Sequence, residues 1–486
     1  MRKKNKADMY LDVTALHEEV TGSCILCTVR YPDASKTQFI VDCGLFQEEK
    51  YQQNNYSFPF IPKDVEFMLV THTHIDHIGR IPKLFKDGFS GKIYTSTLAS
   101  ELMPIALTNT AEILSSSSQK NSKKKNLIDS SVPIFDNTKP LFDVDDVNGA
   151  MGNVVGLEYN NTFKVNEHID VTLFKNGHTL GACCILVKVH YKGQEPIYAF
   201  FTGDYNEKNT FFDVDEIPQK YRDLPINFIT ESTYGDKKKD IIQPVFDNLV
   251  LESMKNSETL IILVFAFGRM QEIKNRLKML QDEGKLSKDI RIFSDGSLAH
   301  SYDDFYKLNA DHLNVKNFMP ANVEIVQGYE HRNTILTDRK PKIILTTSGM
   351  GNYGPAQVYL PAYISRPKCT IIFGGYTAEN TLGRKLQDVV PGELFDLNGV
   401  MTYKRAKVYT TTEFSSHAKQ DELIDMMHKF TNLKTVLINH GDADVKEVFA
   451  KVIAKEINPK HVAILGPKHT MRVGAYGLLK SYPFNS

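Results

Sequence analysis

The chain has 486 residues, more than one hydrophobic core usually serves, so two domains are expected. Its 58 Lys and Arg balance 58 Asp and Glu, which excludes a protein that grips nucleic acid through a globally basic surface; any basic patch is local. Hydrophobic residues make up 42%, no long tract is biased, and the longest apolar run covers only residues 260–267, so a globular cytoplasmic protein without leader or membrane span is expected.

The first third reads as short strands. Residues 12–15, 24–29 and 37–41 are rich in β-branched side chains and separated by turn residues. A further apolar strand over 65–70 runs into Thr71-His-Thr-His-Ile-Asp-His77, followed by a helical stretch to about Lys86. Residues 98–114 read as a helix. The polar, low-complexity stretch 115–126 reads as a solvated loop, whose lysines offer a weaker second reading as a nucleic-acid contact. Strands are expected over 163–174, 184–190 and 197–201.

From about Lys237 the texture changes. Helix 242–255, strand 260–265, helix 269–281, strand 290–293, helix 298–308, strand 342–346, helix 355–364 and strand 370–373 alternate. That rhythm implies a parallel sheet covered on both faces. No GxGxxG follows any of these strands, so a dinucleotide site is unsupported. After about Gly399 strands resume at 407–411, 435–438 and 461–465, with two helices between them. The simplest organisation is one α/β domain interrupted by another.

Six cysteines occur, with Cys24 and Cys27 spaced as in a metal knuckle. No second CxxC completes a four-sulfur site, and the pair sits in an apolar strand, so buried thiols in a reducing compartment are expected.

The strongest chemical signal is His72-Thr-His74-Ile-Asp76-His77. Four ligand-type side chains fall within six residues after an apolar strand, and imidazole with carboxylate suits Zn²⁺. The alternating His72 and His74 can serve one ion, leaving Asp76 and His77 for a second. Later strands end in a similar way: His178 in Gly-His-Thr, Asp204 in Thr-Gly-Asp, and His440 in Asn-His-Gly-Asp. Singly each is as readily structural. Together they repeat strand, turn, ligand.

These motifs, with the upstream Asp42, resemble the ordered motifs of the metallo-β-lactamase superfamily. Glu231 in ITESTYGD, His417 in FSSHAKQDEL and His440 in INHGD resemble the additional motifs of the β-CASP nucleases. So do VFAFGRMQE (264–272), TTSGM (346–350), GPAQVYL (354–360) and GYTAENTLGR (375–384). The resemblance covers nearly the whole chain. It is nearest to bacterial and archaeal relatives of the nuclease subunit of the cleavage and polyadenylation factor. The stretch SDGSLA (294–299) departs from it, where relatives usually carry a proline-containing turn.

The resemblance implies a metallo-β-lactamase αββα sandwich over 1–235 and 399–486, interrupted over 236–398 by a β-CASP α/β domain with a mostly parallel sheet. It implies two Zn²⁺. His72, His74 and His178 would hold one, Asp76, His77 and His440 the other, and Asp204 would bridge them. Asp42 would stand behind the ligands, steadying one of them or the loop backbone. The implied reaction is hydrolysis of single-stranded RNA to 5′-phosphate and 3′-hydroxyl ends, endonucleolytic and open to a 5′-exonucleolytic mode. Water activated between the metals attacks phosphorus, with Asp76 counted in the catalytic centre. His417 would protonate the leaving oxygen, oriented by Glu231. Ser348 either donates to the scissile phosphate or serves a plain turn. Arg269 and Arg384 either touch the RNA backbone or pair within the protein. A homodimer is one expected assembly. The rival readings are a DNA-processing nuclease, a small-molecule hydrolase on the same metal domain and a non-catalytic subunit. The ligand set would also take manganese or iron.

Overall fold

The computed structural model describes residues 8–124, 139–209, 211–238, 245–375, 377, 381–397, 399–411 and 413–484. Positions 125–126 of the expected loop, 242–244 of an expected helix and part of the GYTAENTLGR motif lie outside them. The chain forms two compact units. One comprises 1–209, 213–239 and 417–486; the other comprises 210–212 and 240–416.

The first unit is built on two mixed sheets. In the eight-stranded sheet, Tyr10–Ala15, Ile25–Arg30 and Lys36–Val41 pair antiparallel, and Phe67–Leu69, Lys92–Ser96 and Val154–Leu157 continue in parallel. In the seven-stranded sheet, Ile169–Lys175, Cys183–Val189 and Ile197–Phe201 are antiparallel neighbours. Ile226–Thr230, Leu433–Ile438 and His461–Ile464 then run parallel.

Alternation explains the layering. Along Cys183–Val189, Cys183, Ile185, Val187 and Val189 face a core shared with Leu11, Val13, Phe39 and Val41 of the other sheet. Cys184 and Leu186 face the opposite way, against helices Gln420–His428 and Ala443–Glu456. On Ala443–Glu456, Val445, Phe449 and Ile453 recur at helical spacing on the buried stripe. Helices Ile75–Ile78, Ile81–Lys86, Thr97–Lys124 and Val144–Met151 cover the outer face of the first sheet. The result is an αββα sandwich. Each fully buried aliphatic side chain contributes about 1.5–3 kcal/mol.

The second unit carries a six-stranded sheet in which every pairing is parallel. Leu260 and Ile262 face one set of helices, Ile261 and Leu263 the other, so the strand reads as continuously apolar.

Three sequence readings need correction. The helix beginning at Thr97 runs on to Lys124, through most of the stretch read as a loop. Serine is only mildly unfavourable in a helix, and extending an existing helix needs no new nucleus. The strand Lys407–Thr410, read as part of the resumed first domain, pairs in parallel with Cys369–Phe373 and belongs to the second unit. Its apolar pattern is the same in either sheet, so only pairing decides. The stretch 163–174 is also two strands, Thr162–Lys164 and Ile169–Lys175, forming an antiparallel pair. Among the described residues no helix is long and apolar enough to cross a membrane. All six cysteines are free and buried.

Candidate metal and catalytic site

The loop after Phe67–Leu69 is held by backbone pairing to residues 43–45. Cys43 N donates to His77 O at 2.7 Å, Leu45 N to Ile75 O at 2.9 Å, and Ser23 N to Asp76 O at 2.9 Å. Gly44 is required there, because a Cβ would lie 1.5 Å from Asp76 O. The remaining loops follow Ile169–Lys175, Ile197–Phe201, Ile226–Thr230 and Leu433–Ile438. Asn176 ties two of them, donating from Nδ2 to Thr202 O at 2.9 Å and Asp204 O at 2.7 Å while its Oδ1 accepts from His178 N at 3.2 Å. Asp42 and His440 both adopt positive φ, +62° and +47°, conformations costly for residues with a Cβ and often found where function demands them.

These loops bring all seven sequence-predicted ligands together. His72, His74, His178 and Asp204 form one group; Asp76, His77 and His440 form another. Within each group the ligand atoms lie within 4.8 Å of one another. His74 Nδ1 is 3.2 Å from His72 Nε2 and 3.1 Å from His178 Nε2. His77 Nε2 and His440 Nε2 are 3.1 Å apart. Asp204 joins the groups: Oδ2 is 3.6 Å from both His72 Nε2 and His178 Nε2 and 3.3 Å from His77 Nε2, and Oδ1 is 3.3 Å from His440 Nδ1.

The electrostatics favour a cation at the centre. Burial lowers the pKa of His72 well below the usual imidazole value, and that of His74 to about 4. For His77 burial acts the same way, but the Asp204 and Asp42 carboxylates overcome it and raise its pKa. Burial pushes Asp204 up, and His440, His77 and His417 pull it well below the usual carboxylate range. Asp204 Oδ1 is buried and makes no hydrogen bond within the protein. Five imidazoles and two carboxylates, one of them with an orphaned oxygen, form a donor set that suits divalent zinc.

Behind this set, Asp42 Oδ2 accepts from His77 Nδ1 at 2.8 Å, and Oδ1 accepts from Thr71 N at 2.8 Å. Beside it, His417 Nδ1 is 2.8 Å from Glu231 Oε2, while His417 Nε2 points inward, 3.8 Å from Asp204 Oδ2. Glu231 is pinned by Tyr205 N, which donates to Oε1 at 2.5 Å. Burial alone would lower the His417 pKa; the Glu231 and Asp204 carboxylates outweigh it and hold it at about 9.

Ser348 belongs to the second unit, in the turn after Lys342–Thr346, where its hydroxyl accepts from Tyr353 N at 3.3 Å. Arg269 Nε donates to Phe414 O at 3.0 Å, and the exposed Arg384 pairs with Asp388 on its own helix at 3.1 Å. None of the six cysteines joins a metal-binding group among the described residues. The sequence reading missed Thr71, Asn176 and Thr233, the last with Oγ1 3.1 Å from His440 Nδ1. Thr71 adjoins the histidine motif and Thr233 lies within ITESTYGD, but hydroxyl and amide partners carry no spacing signature.

Three family models match in chain order: a metallo-beta-lactamase superfamily domain over 33–214, a Beta-Casp domain over 270–386, and a Zn-dependent metallo-hydrolase RNA specificity domain over 404–465. Among similar proteins, Ribonuclease TTHA0252 of Thermus thermophilus is 27% identical over 90% of this chain and 94% of its own length. An RNase J-like protein of Methanocaldococcus jannaschii is 28% identical over 89% of this chain and 94% of its own. Transcription termination factor FttA of Methanosarcina mazei is 24% identical over 94% of this chain and 71% of its own. The chain belongs to the β-CASP family of metallo-β-lactamase-fold proteins.

Proposed function

We propose that this protein is a two-zinc ribonuclease that hydrolyses single-stranded RNA to 5′-phosphate and 3′-hydroxyl ends. The observation that carries the reading is the convergence of seven ligand-type side chains into two adjacent groups sharing Asp204, with a His417–Glu231 pair at their edge. The match to an RNA-specificity domain and the ribonuclease names of similar proteins support RNA as the substrate.

His72, His74 and His178 would hold one ion, Asp76, His77 and His440 the other, with Asp204 between. When bound, such a pair lowers the pKa of a shared water and neutralises phosphate oxygens. The protein's own residues do the rest. Asp42 and Thr71 keep the ligand imidazoles oriented. Glu231 accepts from His417 Nδ1, so the Nε2–H faces the centre and can protonate the leaving 3′-oxygen. The second unit would fit the RNA strand, with Ser348 as a donor to phosphate.

The test is a time course on end-labelled single-stranded RNA beside matched DNA, with wild type, His74→Ala and His417→Ala. RNA cleavage by wild type, its loss in the first variant and slow cleavage with metal retained in the second are expected. Preferential DNA cleavage would favour the DNA-processing reading. Equal activity in all three would overturn the roles.

A further inference from the structure

We propose that Thr71 is a positioning residue that sets the tautomer of His72, and that Asp42, partly through it, prepares one imidazole in each ligand group. The inference rests on the two-metal reading above.

Thr71 is 1% exposed, immediately before the histidine loop. Three hydrogens converge on the Asp42 carboxylate: Thr71 N on Oδ1 at 2.8 Å, and Thr71 Oγ1 and His77 Nδ1 on Oδ2, each at 2.8 Å. A carboxylate only accepts, and a hydroxyl has one hydrogen. With the Thr71 hydrogen directed at Asp42, its contact with His72 Nδ1 at 3.1 Å can only have the imidazole as donor. His72 therefore carries its proton on Nδ1 and presents a bare lone pair on Nε2, the atom 3.2 Å from His74 Nδ1 and 3.6 Å from Asp204 Oδ2. His77 is fixed the same way by direct donation to Asp42, leaving its Nε2 lone pair toward His440 Nε2.

One carboxylate thus prepares His72 of the first group and His77 of the second. Without the Thr71 hydroxyl, His72 is free to place its proton on Nε2, where a metal must bind. Loss of such a supporting hydrogen bond lowers metal affinity by about 10–100-fold.

The test uses the full chain and zinc alone. Zinc stoichiometry and both dissociation constants, read by chelator competition, are compared for wild type, Thr71→Val, Thr71→Ser and Asp42→Asn. Thr71→Val is expected to weaken one of two zinc ions by about 10–100-fold and leave the other near wild type. Thr71→Ser should restore binding to within about threefold of wild type, because it keeps the hydroxyl. Asp42→Asn should weaken both ions. Wild-type affinity at both sites in Thr71→Val, or a Thr71→Ser defect as large as that of Thr71→Val, overturns the proposal. Fewer than two zinc ions in wild type overturns the two-metal reading and the proposal with it, and is recognised because it needs no variant. Should Thr71→Val fail to fold, long-range ¹H–¹⁵N spectra of zinc-loaded wild type decide: a proton on His72 Nδ1 is expected, and zinc on Nδ1 overturns the assignment.

Discussion

The two units are both layered α/β structures with loops at parallel strand ends, yet they partner their most deeply buried carboxylates differently. In the second unit the buried carboxylates of Asp295 and Asp303 each have a cationic protein partner. Lys274 pairs with Asp303, which also accepts from Gln271 at 2.9 Å, and Asp295 accepts from Arg332 at 2.8 and 2.9 Å and from Tyr359 at 2.7 Å. In the first unit Asp204 is ringed by imidazoles, with no lysine or arginine among its ion pairs within the described residues. Self-satisfied pairs tie elements together. A buried carboxylate ringed by imidazoles is arranged for a cation from outside.

The largest effect that would break this contrast is His74→Ala, expected to lower the RNA cleavage rate by at least about 10³-fold and to cost bound metal, measured by single-turnover cleavage and metal analysis. If metal content stays at wild type, the first unit is not a metal cradle. His417→Ala should lower the rate by about 10²–10⁴-fold with metal content unchanged, separating proton delivery from metal binding. Asp303→Ala leaves the Lys274 ammonium buried and alone, so chemical denaturation should register about 3–5 kcal/mol of lost stability. Activity of the folded fraction should hold, marking that pair as structural. Removing zinc with a chelator should increase amide hydrogen exchange in loops 71–78, 176–182, 202–205 and 438–442 and leave 291–295 and 342–346 protected; uniform loosening would erase the distinction. The smallest effect is Tyr359→Phe, at about 1.5 kcal/mol, the low end for a bond to a charged group because Arg332 still satisfies Asp295.

The metal loop was legible because its four ligand-type residues are local: strand, turn and ligand occupy one window from Phe67 to Ile78. Alternation marked most strands, since a side chain pointing into the core every second residue leaves a mark that needs no partner. The Thr97–Lys124 helix was legible only as far as its apolar periodicity lasts, and the sequence of its Ser- and Lys-rich end carries none. The Lys407–Thr410 strand was visible as a strand, but its sheet was not, because hydrogen bonding to Cys369–Phe373 is a property of two segments. Thr71 was invisible as a functional residue, since its role depends on Asp42, 29 positions earlier.

The order and chemical type of residues along the chain therefore determined the fold class, the ligand types and the resemblance, because these depend on local periodicity and on side-chain chemistry. Tertiary structure alone decided which sheet a strand joins, which groups Asp204 connects and which imidazole nitrogen carries its proton. Each of those depends on a partner brought near by folding, and donor, acceptor and charge balance exist only once both members of a pair are in place.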